Sequence, residues 1–149
     1  MSTRIIILGT GGNCIDILDT VNDINASRSA AAYECVGFLD DNPDNWGKEI
    51  FGVRVLGPLN SASSYDGCQF VNGIGSFTNF WKKHDIISKT KMPDDRFETL
   101  VHPSASVSSM ARLGRGTVVF QNVTVTSNVH IGKHVIILPN TVISHDDVM

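Results

Sequence analysis

The sequence has 149 residues, of which 42% are hydrophobic and 18% are charged, and its formal net charge is −3. These values are typical of a globular chain of one or two small domains, and the charge gives no sign of a nucleic-acid or anionic-membrane partner. No apolar run reaches the length of a transmembrane helix, and Ile5–Leu8 is too short for a signal-peptide core. Cys14, Cys35 and Cys68 are odd in number and lack metal-ligand spacing, which predicts reduced thiols in the cytoplasm.

Strand-like and helix-like patterns alternate over the first hundred residues. The predicted strands are apolar runs ended by turn residues: Ile5–Leu8, Glu34–Leu39, Val53–Leu56, Gln69–Ile74 and Phe97–Val101. A helical stripe covers residues 13–26. A second predicted helix is capped by Ser76, and five of its residues lie at helical spacing: Phe77, Phe80, Trp81, His84 and Ile87. The alternation predicts βαβ units and a parallel sheet, in an α/β domain over residues 1–100.

From Val101 onward every sixth residue is aliphatic, namely Val101, Val107, Leu113, Val119, Val125, Ile131, Ile137 and Ile143. A period of six is typical of a hexapeptide-repeat parallel β-helix, whose short strands form the three faces of a prism. The residues two positions earlier are small or β-branched and are expected to share the interior: Ala105, Ala111, Thr117, Val123, Val129, Val135 and Thr141. This predicts about two and a half coils over residues 101–149.

Gly114 and Gly132 are separated by one predicted coil, and we expect them to occupy corners where φ is positive. The six-residue register runs as far as Met149, so the third coil is incomplete and has no capping element. Solenoids normally end in such a cap, and we therefore expect the chain to be a truncated form of a longer protein.

Two glycine motifs and an acidic pair follow predicted strands. The turn Gly9–Asn13 precedes the first helix, where backbone N–H groups can bind a phosphate; a tight turn without a ligand is the alternative. It is not the dinucleotide fingerprint, because Cys14 occupies the place of the last glycine. Asp40 and Asp41 follow the second strand and can accept hydrogen bonds from ribose or a base, or simply form a turn. Gly73–Ser76 ends a third strand and is expected to line the same crevice.

His145 and Asp146 form the remaining motif, which lies in the third predicted coil. An imidazole beside a carboxylate can act as a general base, although such a pair is more commonly a surface turn. The other histidines form no set of three convergent metal ligands, and a metal site would need ligands shared between subunits.

The motifs occur in an order that resembles a known family: Gly9–Asn13, Phe38–Asp41, Gly73–Gly75, Leu100–Ala105 and Val142–Asp146. The chain resembles sugar O- and N-acetyltransferases of the NeuD/PglD type. Their Rossmann-like N-terminal domain is followed by a left-handed parallel β-helix of hexapeptide repeats. The resemblance covers the whole chain and implies a similar architecture here.

The resemblance also implies roles for eight residues. The nucleotide-sugar crevice would be lined by Gly11, Gly12, Asn13, Asp40, Asp41 and Gly75. His145 would take the proton from the sugar amine or hydroxyl, and Asp146 would orient His145. Acetyl-CoA would be the co-substrate, without a metal, in a homotrimer that serves surface glycan synthesis. The family usually has histidine where this chain has Asn13, and it binds acetyl-CoA through later coils. We therefore expect this chain to bind nucleotide-sugar with little or no transferase activity.

Three other functions are compatible with parts of the sequence. A non-catalytic nucleotide-sugar-binding module is favoured by the incomplete coil. An NAD-dependent oxidoreductase is disfavoured by Cys14 and by the six-residue repeat. A metal-dependent hexapeptide-repeat enzyme would need histidines shared between subunits. The sequence does not distinguish N- from O-acetylation, because the same base serves both nucleophiles, and it does not identify the nucleobase or the sugar.

Overall fold

The computed structural model describes residues 1–149. In chain order, the first region contains β1 (Thr3–Leu8), α1 (Gly12–Ala26), β2 (Tyr33–Leu39), β3 (Glu49–Ile50), β4 (Val53–Gly57), β5 (Cys68–Asn72) and α2 (Lys83–Thr90). Short 3-10 helices cover Pro43–Asn45, Leu59–Ser64, Phe80–Lys82 and Asp94–Arg96. Eight two-residue strands follow: β6 (Leu100–Val101), β7 (Ser106–Val107), β8 (Arg112–Leu113), β9 (Val118–Val119), β10 (Thr124–Val125), β11 (His130–Ile131), β12 (Ile136–Ile137) and β13 (Val142–Ile143). Neither α-helix combines the length and the apolar character needed to span a membrane.

The first region is a Rossmann-like α/β unit built on a five-stranded sheet in the order β3-β4-β2-β1-β5. β4, β2, β1 and β5 are parallel, and β3 forms an antiparallel hairpin with β4. The aliphatic run of β1, Ile5–Leu8, is completely buried because both faces of this strand are covered. The predicted parallel sheet is confirmed.

The second region is a coil of parallel strands in which each turn takes 18 residues. Val119 of β9 lies between Val101 of β6 and Ile137 of β12, and the other faces repeat the same register. The aliphatics at six-residue spacing and most of the residues two positions earlier form one interior cluster. The predicted β-helix interior is therefore confirmed.

The corners of the coil differ from the prediction. Gly114 and Gly132 do not have positive φ; instead, a Cβ on Gly114 would overlap the carbonyl group of Gly132 in the next coil. Glycine there permits close stacking of successive coils. The left-handed corners recur every six residues at Gly116, Asn122, Asn128, His134, Asn140 and Asp146. Asparagine and aspartate tolerate this conformation better than most residues. The six-residue repeat is therefore visible in the corner residues as well as in the interior aliphatics.

The segment before α2 also corrects a prediction. The α-helix begins at Lys83 rather than near Ser76, and Phe77, Phe80 and Trp81 are 98%, 62% and 61% exposed. Ser76 does not cap α2, whose N-cap residue is Lys82; the Ser76 hydroxyl is hydrogen-bonded to the side chains of Thr78 and Asn79. Such local bonds compete with helix formation.

The predicted strand Phe97–Val101 is divided between the two regions. Phe97 makes an isolated parallel bridge to Phe70, whereas Leu100 and Val101 form β6 of the coil. Leu100 also belongs to the hydrophobic cluster that covers the α1 side of the sheet, together with Val118 and Phe120. The coil face made by β6, β9 and β12 therefore packs on the sheet region, and the division into domains at residue 100 stays a prediction.

Candidate functional site

The turn between β1 and α1 forms the floor of a polar cleft of about 350 Å³. Gly9 has a φ of 100°, and a Cβ there would lie 2.5 Å from Cγ1 of Ile74, so the turn requires glycine. Gly11 is the N-cap of the 15-residue helix α1, with no side-chain cap and no acidic residue in the first turn. The first N–H groups of a helix lack intrahelical partners and carry partial positive charge. The cleft thus offers donors to an anion.

The structure brings five of the six predicted substrate-binding residues to this cleft. They are Gly11, Gly12, Asn13, Asp40 and Gly75. The remaining lining residues are Gly9, Thr10, Cys14, Gly73, Ile74, Ser76 and Asn79. The motifs meet because the carboxyl ends of β1, β2 and β5 lie at one edge of the sheet. Their role in binding stays a prediction.

Asp40 is held in the cleft by a set of donors. Its carboxylate accepts hydrogen bonds from the Thr10 hydroxyl, from the backbone N–H of Asn42 at 2.8 Å and from Nδ2 of Asn45 at 3.3 Å. Thr10 and Asn45 were not predicted as site residues. Thr10 lies inside the glycine motif, which could have identified it, whereas the Asn45 contact depends on the folded loop after β2.

Asp41 does not line the cleft. Its Oδ1 accepts a hydrogen bond from the backbone N–H of Leu59 at 3.0 Å, and its Oδ2 lies 2.9 Å from Nζ of Lys89. Although partial burial raises the pKa of Asp41, the Leu59 N–H and the Lys89 ammonium together lower it below its usual value. The two adjacent carboxylates therefore face different surroundings: Asp40 lines the cleft, whereas Asp41 contacts Leu59 and Lys89.

Asn13 and Cys14 close the floor of the cleft. Nδ2 of Asn13 donates to the carbonyl of Gly75 at 3.3 Å and so links the two glycine motifs. The Cys14 thiol is buried against Gly73, where a Cβ would lie 2.5 Å from its sulfur. Burial raises the pKa of Cys14 to about 12, so this thiol is neutral and serves packing rather than nucleophilic chemistry.

An apolar cavity of about 630 Å³ adjoins the polar cleft. The two share Asn13, Ile74, Gly75 and Ser76, and the remaining lining comes from Phe77, Phe80, Lys83, Val135, Ile136 and Leu138. The cavity therefore extends from the glycine motifs to strand β12 of the coil. Phe77 and Phe80 were predicted as part of a helical stripe, and the structure places them here instead.

His145 and Asp146 lie on the corner that follows β13. Nδ1 of His145 is 2.9 Å from Oδ2 of Asp146, and the two side chains are 72% and 66% exposed. The imidazole therefore points to solvent and not into the coil interior. The pKa of Asp146 is lowered, first by a hydrogen bond from the Asn128 amide and then by one from His145. With Nδ1 directed at the carboxylate, Nε2 is free to exchange a proton with a ligand.

The cleft and the His–Asp pair lie apart within one chain. The corner at His145 joins the coil face of β7, β10 and β13 to the face of β8 and β11. In a three-sided prism, this edge is opposite the face that packs on the sheet region. His145 lines neither the cleft nor the apolar cavity.

Two other histidines, His102 and His134, contact the sheet region. Nε2 of His102 lies 2.8 Å from Oδ2 of Asp23, which ties α1 to the first corner of the coil. His134 is buried against the ring of Phe97, and its Nδ1 has no hydrogen-bond partner. No group of three or more His, Cys, Asp or Glu side chains is placed to hold a metal ion.

The chain combines a Rossmann-like sheet that carries a glycine cleft with a coil of parallel strands that carries an exposed His–Asp pair. It therefore belongs to the class of proteins that join a Rossmann-like α/β region to a parallel β-helix. Residues 4–87, more than half of the chain, match the PglD N-terminal domain family, and the chain belongs to that family. This confirms the resemblance to sugar acetyltransferases of the NeuD/PglD type. No curated protein matches the chain by sequence.

Several solved structures share the fold. The acetyltransferase domain of PglB from Neisseria gonorrhoeae FA1090, in complex with acetyl coenzyme A, has a TM-score of 0.77 and 17% identity, over 99% of this chain and 67% of that one. PerB from Caulobacter crescentus, in complex with CoA and GDP-perosamine, has a TM-score of 0.72 and 23% identity, over 96% and 63%. WeeI from Acinetobacter baumannii AYE has a TM-score of 0.73 and 20% identity, over 98% and 66%. The chain thus spans about two thirds of their lengths, and the likeness establishes a shared fold.

Proposed function

We propose that this chain belongs to an acetyl-CoA-dependent acetyltransferase that acts on a nucleotide-activated amino sugar in surface glycan synthesis. The observation that carries the proposal is the presence, in one chain, of a polar glycine cleft and of an exposed His–Asp pair on the coil. The PglB domain, with acetyl coenzyme A, and PerB, with CoA and GDP-perosamine, support this choice of substrates.

The nucleotide-sugar is proposed to bind across the glycine cleft. Its phosphates would accept hydrogen bonds from the N–H groups of Gly11, Gly12 and Asn13 at the start of α1, where the helix dipole favours negative charge. Asp40 would accept hydrogen bonds from the ribose or the base, as an acidic residue does after the second strand of related folds. Gly75 would line the opposite wall. Asp41 is a weaker candidate, because its carboxylate is bonded to Leu59 and Lys89.

His145 is proposed as the general base. Its Nε2 accepts the proton of the sugar amine or hydroxyl while the nitrogen or oxygen forms a bond to the thioester carbonyl carbon. The carbon–sulfur bond then breaks, and the departing sulfur takes up the proton as CoA. Asp146 orients the ring and stabilises the imidazolium ion. The same base serves an amine or a hydroxyl, so both N- and O-acetylation fit this mechanism.

The proposed active site needs two copies of the chain. His145 lies on the prism edge opposite the sheet region, so it would serve the cleft of a neighbouring protomer. Strands β7, β10 and β13 present the uncharged residues Ser106, Thr124 and Val142 outward, which suits packing between prisms. A homotrimer of left-handed coils, with acetyl-CoA bound between neighbouring coils, is the assembly that we propose.

Binding and acetyl transfer test the proposal separately. Titration of the chain with UDP- and GDP-linked 4-amino sugars should show saturable binding. In a form of the protein that spans the full length of the related structures, addition of acetyl-CoA should release free thiol. We expect His145→Asn to keep the affinity for the nucleotide-sugar and to lower kcat by about 10²- to 10⁴-fold, the range for loss of a general base. Unchanged turnover in His145→Asn would contradict the assignment. Stabilisation by NAD alone would contradict the choice of nucleotide-sugar.

A non-catalytic nucleotide-sugar-binding module is the second candidate. The separation of His145 from the cleft within one chain favours it whenever the chain is monomeric. The discriminating result is saturable binding of a nucleotide-sugar by a chain of monomeric mass that releases no thiol from acetyl-CoA. Analytical ultracentrifugation at the concentrations of the transfer assay supplies the mass.

A further inference from the structure

A third side chain extends the His–Asp pair. Nδ2 of Asn128 donates a hydrogen bond to Oδ1 of Asp146 at 2.7 Å, while Oδ2 of the same carboxylate lies 2.9 Å from Nδ1 of His145. The two contacts use different carboxylate oxygens. Rotation of the Asp146 carboxylate would therefore break both hydrogen bonds at once.

The coil places Asn128 and Asp146 in register. Both residues occupy left-handed corners, with φ of 59° and 65°, and they are one coil apart. The strands before these corners are paired, with Val125 opposite Ile143, and the N–H of Asp146 donates to the carbonyl of Ser127 at 3.2 Å. The same corner position holds Met110 in the first coil, Asn128 in the second and Asp146 in the third. Of the two side chains stacked before Asp146, only that of Asn128 can donate a hydrogen bond.

We propose that Asn128 is a positioning residue for the general base: its amide holds the Asp146 carboxylate against Nδ1 of His145. This rests on the proposed function of His145. The pair is exposed to solvent, so packing does not order it, and a hydrogen bond from the next coil supplies the missing constraint. The bond also favours the charged carboxylate, which keeps the proton on Nδ1 and leaves Nε2 as the acceptor.

The hydrogen-bond partners of the acid support the proposal further. The Asn128 amide lowers the pKa of Asp146 more than any other group does, and His145 comes second. Asp146 is therefore ionised at neutral pH, and its carboxylate can accept both hydrogen bonds. Loss of Asn128 leaves the acid free to turn toward water, and the imidazole then loses its preference for one tautomer.

The test uses Asn128→Gly, with Asn140→Gly as the matched control. Both residues occupy exposed left-handed corners, with φ of 59° and 63°, and glycine adopts this conformation without strain. Asn140 makes no hydrogen bond to Asp146 or His145 through its side chain. Ring ¹⁵N NMR of His145, assigned with His145→Asn, measures the tautomer without any substrate.

We expect the wild type and Asn140→Gly to hold the proton on Nδ1. In Asn128→Gly, the ring should shift toward the mixture of tautomers found in free imidazole. In the transfer assay, kcat should fall by about tenfold in Asn128→Gly, while both KM values and the Asn140→Gly rates stay as in the wild type. Asn128→Asp, which keeps the size but places a second carboxylate beside Asp146, should lower kcat at least as much.

An unchanged His145 tautomer in both Asn128 variants would overturn the proposal, whatever the transfer rates are. A shifted tautomer supports the positioning role even when the wild type transfers no acetyl group. In a form of the protein that spans the full length of the related structures, that combination would reject the proposed function and keep the hydrogen-bonding role of Asn128. An unchanged kcat in Asn128→Gly, with an active wild type, would also count against the proposal.

Discussion

The two parts of the candidate site are built in opposite ways. The cleft joins residues that are far apart in the sequence, such as Thr10, Asp40 and Gly75, and it exists only when three strands end at the same sheet edge. The His–Asp pair consists of adjacent residues on one corner of a coil that repeats every 18 residues. The cleft therefore depends on tertiary packing, whereas the pair depends on a local pattern and on its neighbour one coil away.

The glycines of the cleft and of the coil also differ in the space around them. Gly12, in the cleft, has ordinary φ and open space around the position of a Cβ. Gly114, in the coil, has no such space, because the backbone of Gly132 lies against it. Gly12 thus leaves space for what the cleft binds, whereas Gly114 leaves space for the next coil.

The largest effect should come from alanine at Gly114, and alanine at Gly12 is the matched comparison. Gly114→Ala should lower the free energy of unfolding by about 2–4 kcal/mol, because the new methyl group meets rigid backbone of the next coil. Gly12→Ala should change it by less than ~0.5 kcal/mol, as expected where nothing is displaced. Urea unfolding followed by circular dichroism measures both. Equal losses in the two variants would remove the contrast between the regions.

The adjacent acidic residues Asp40 and Asp41 provide the second test. Asp40→Asn should weaken nucleotide-sugar binding by about tenfold, the loss expected for a hydrogen bond to a charged acceptor. Asp41→Asn should leave the affinity unchanged, and its ion pair with Lys89 is exposed enough to contribute only ~0.5 kcal/mol to stability. Calorimetric titration and thermal unfolding of both variants separate binding from folding. Weaker binding in Asp41→Asn alone would show that the cleft was assigned to the wrong carboxylate.

The coil could be predicted almost entirely from the sequence. Its interior requires an aliphatic residue at every sixth position, and Val119, Val125 and Ile131 are buried as that pattern predicts. The corners were harder to predict, because glycine serves two purposes. Gly116 supplies a positive φ, whereas Gly114 supplies space between coils, and spacing alone does not separate these reasons.

The cleft could be predicted only in outline. The glycine motifs and Asp40 follow strands of a parallel sheet, and the meeting of strand ends follows from that topology. The exclusion of Asp41 depends on partners at Leu59 and Lys89, which are distant in the sequence. The aromatic stripe misled the prediction of a longer helix, because bonds around Ser76 form a local turn and leave Phe77 exposed.

The smallest expected effect concerns His134, which lies where the coil meets the sheet region. Burial lowers the pKa of this histidine, Lys83 and Lys133 lower it further, and Asp94 opposes them. Below the ordinary histidine pKa of about 6.5, the unfolded chain therefore binds a proton that the folded chain does not. The free energy of unfolding should fall as the pH decreases from about 7 toward the folded pKa, and the loss should stop below it.

His134→Asn isolates this contribution, because asparagine also tolerates the left-handed φ of 56° and carries no titrating group. The variant should be less stable at neutral pH, since it loses the contact of the ring with Phe97. The difference in unfolding free energy from the wild type should narrow as the pH is lowered. The Asp94 carboxylate does not interfere, because Lys133 lowers its pKa and its proton uptake falls below this window. If the difference in unfolding free energy stays constant between about pH 7 and 5, the His134 imidazole is in contact with water. The contact between the coil and the sheet region would then be less tightly packed than the structure indicates.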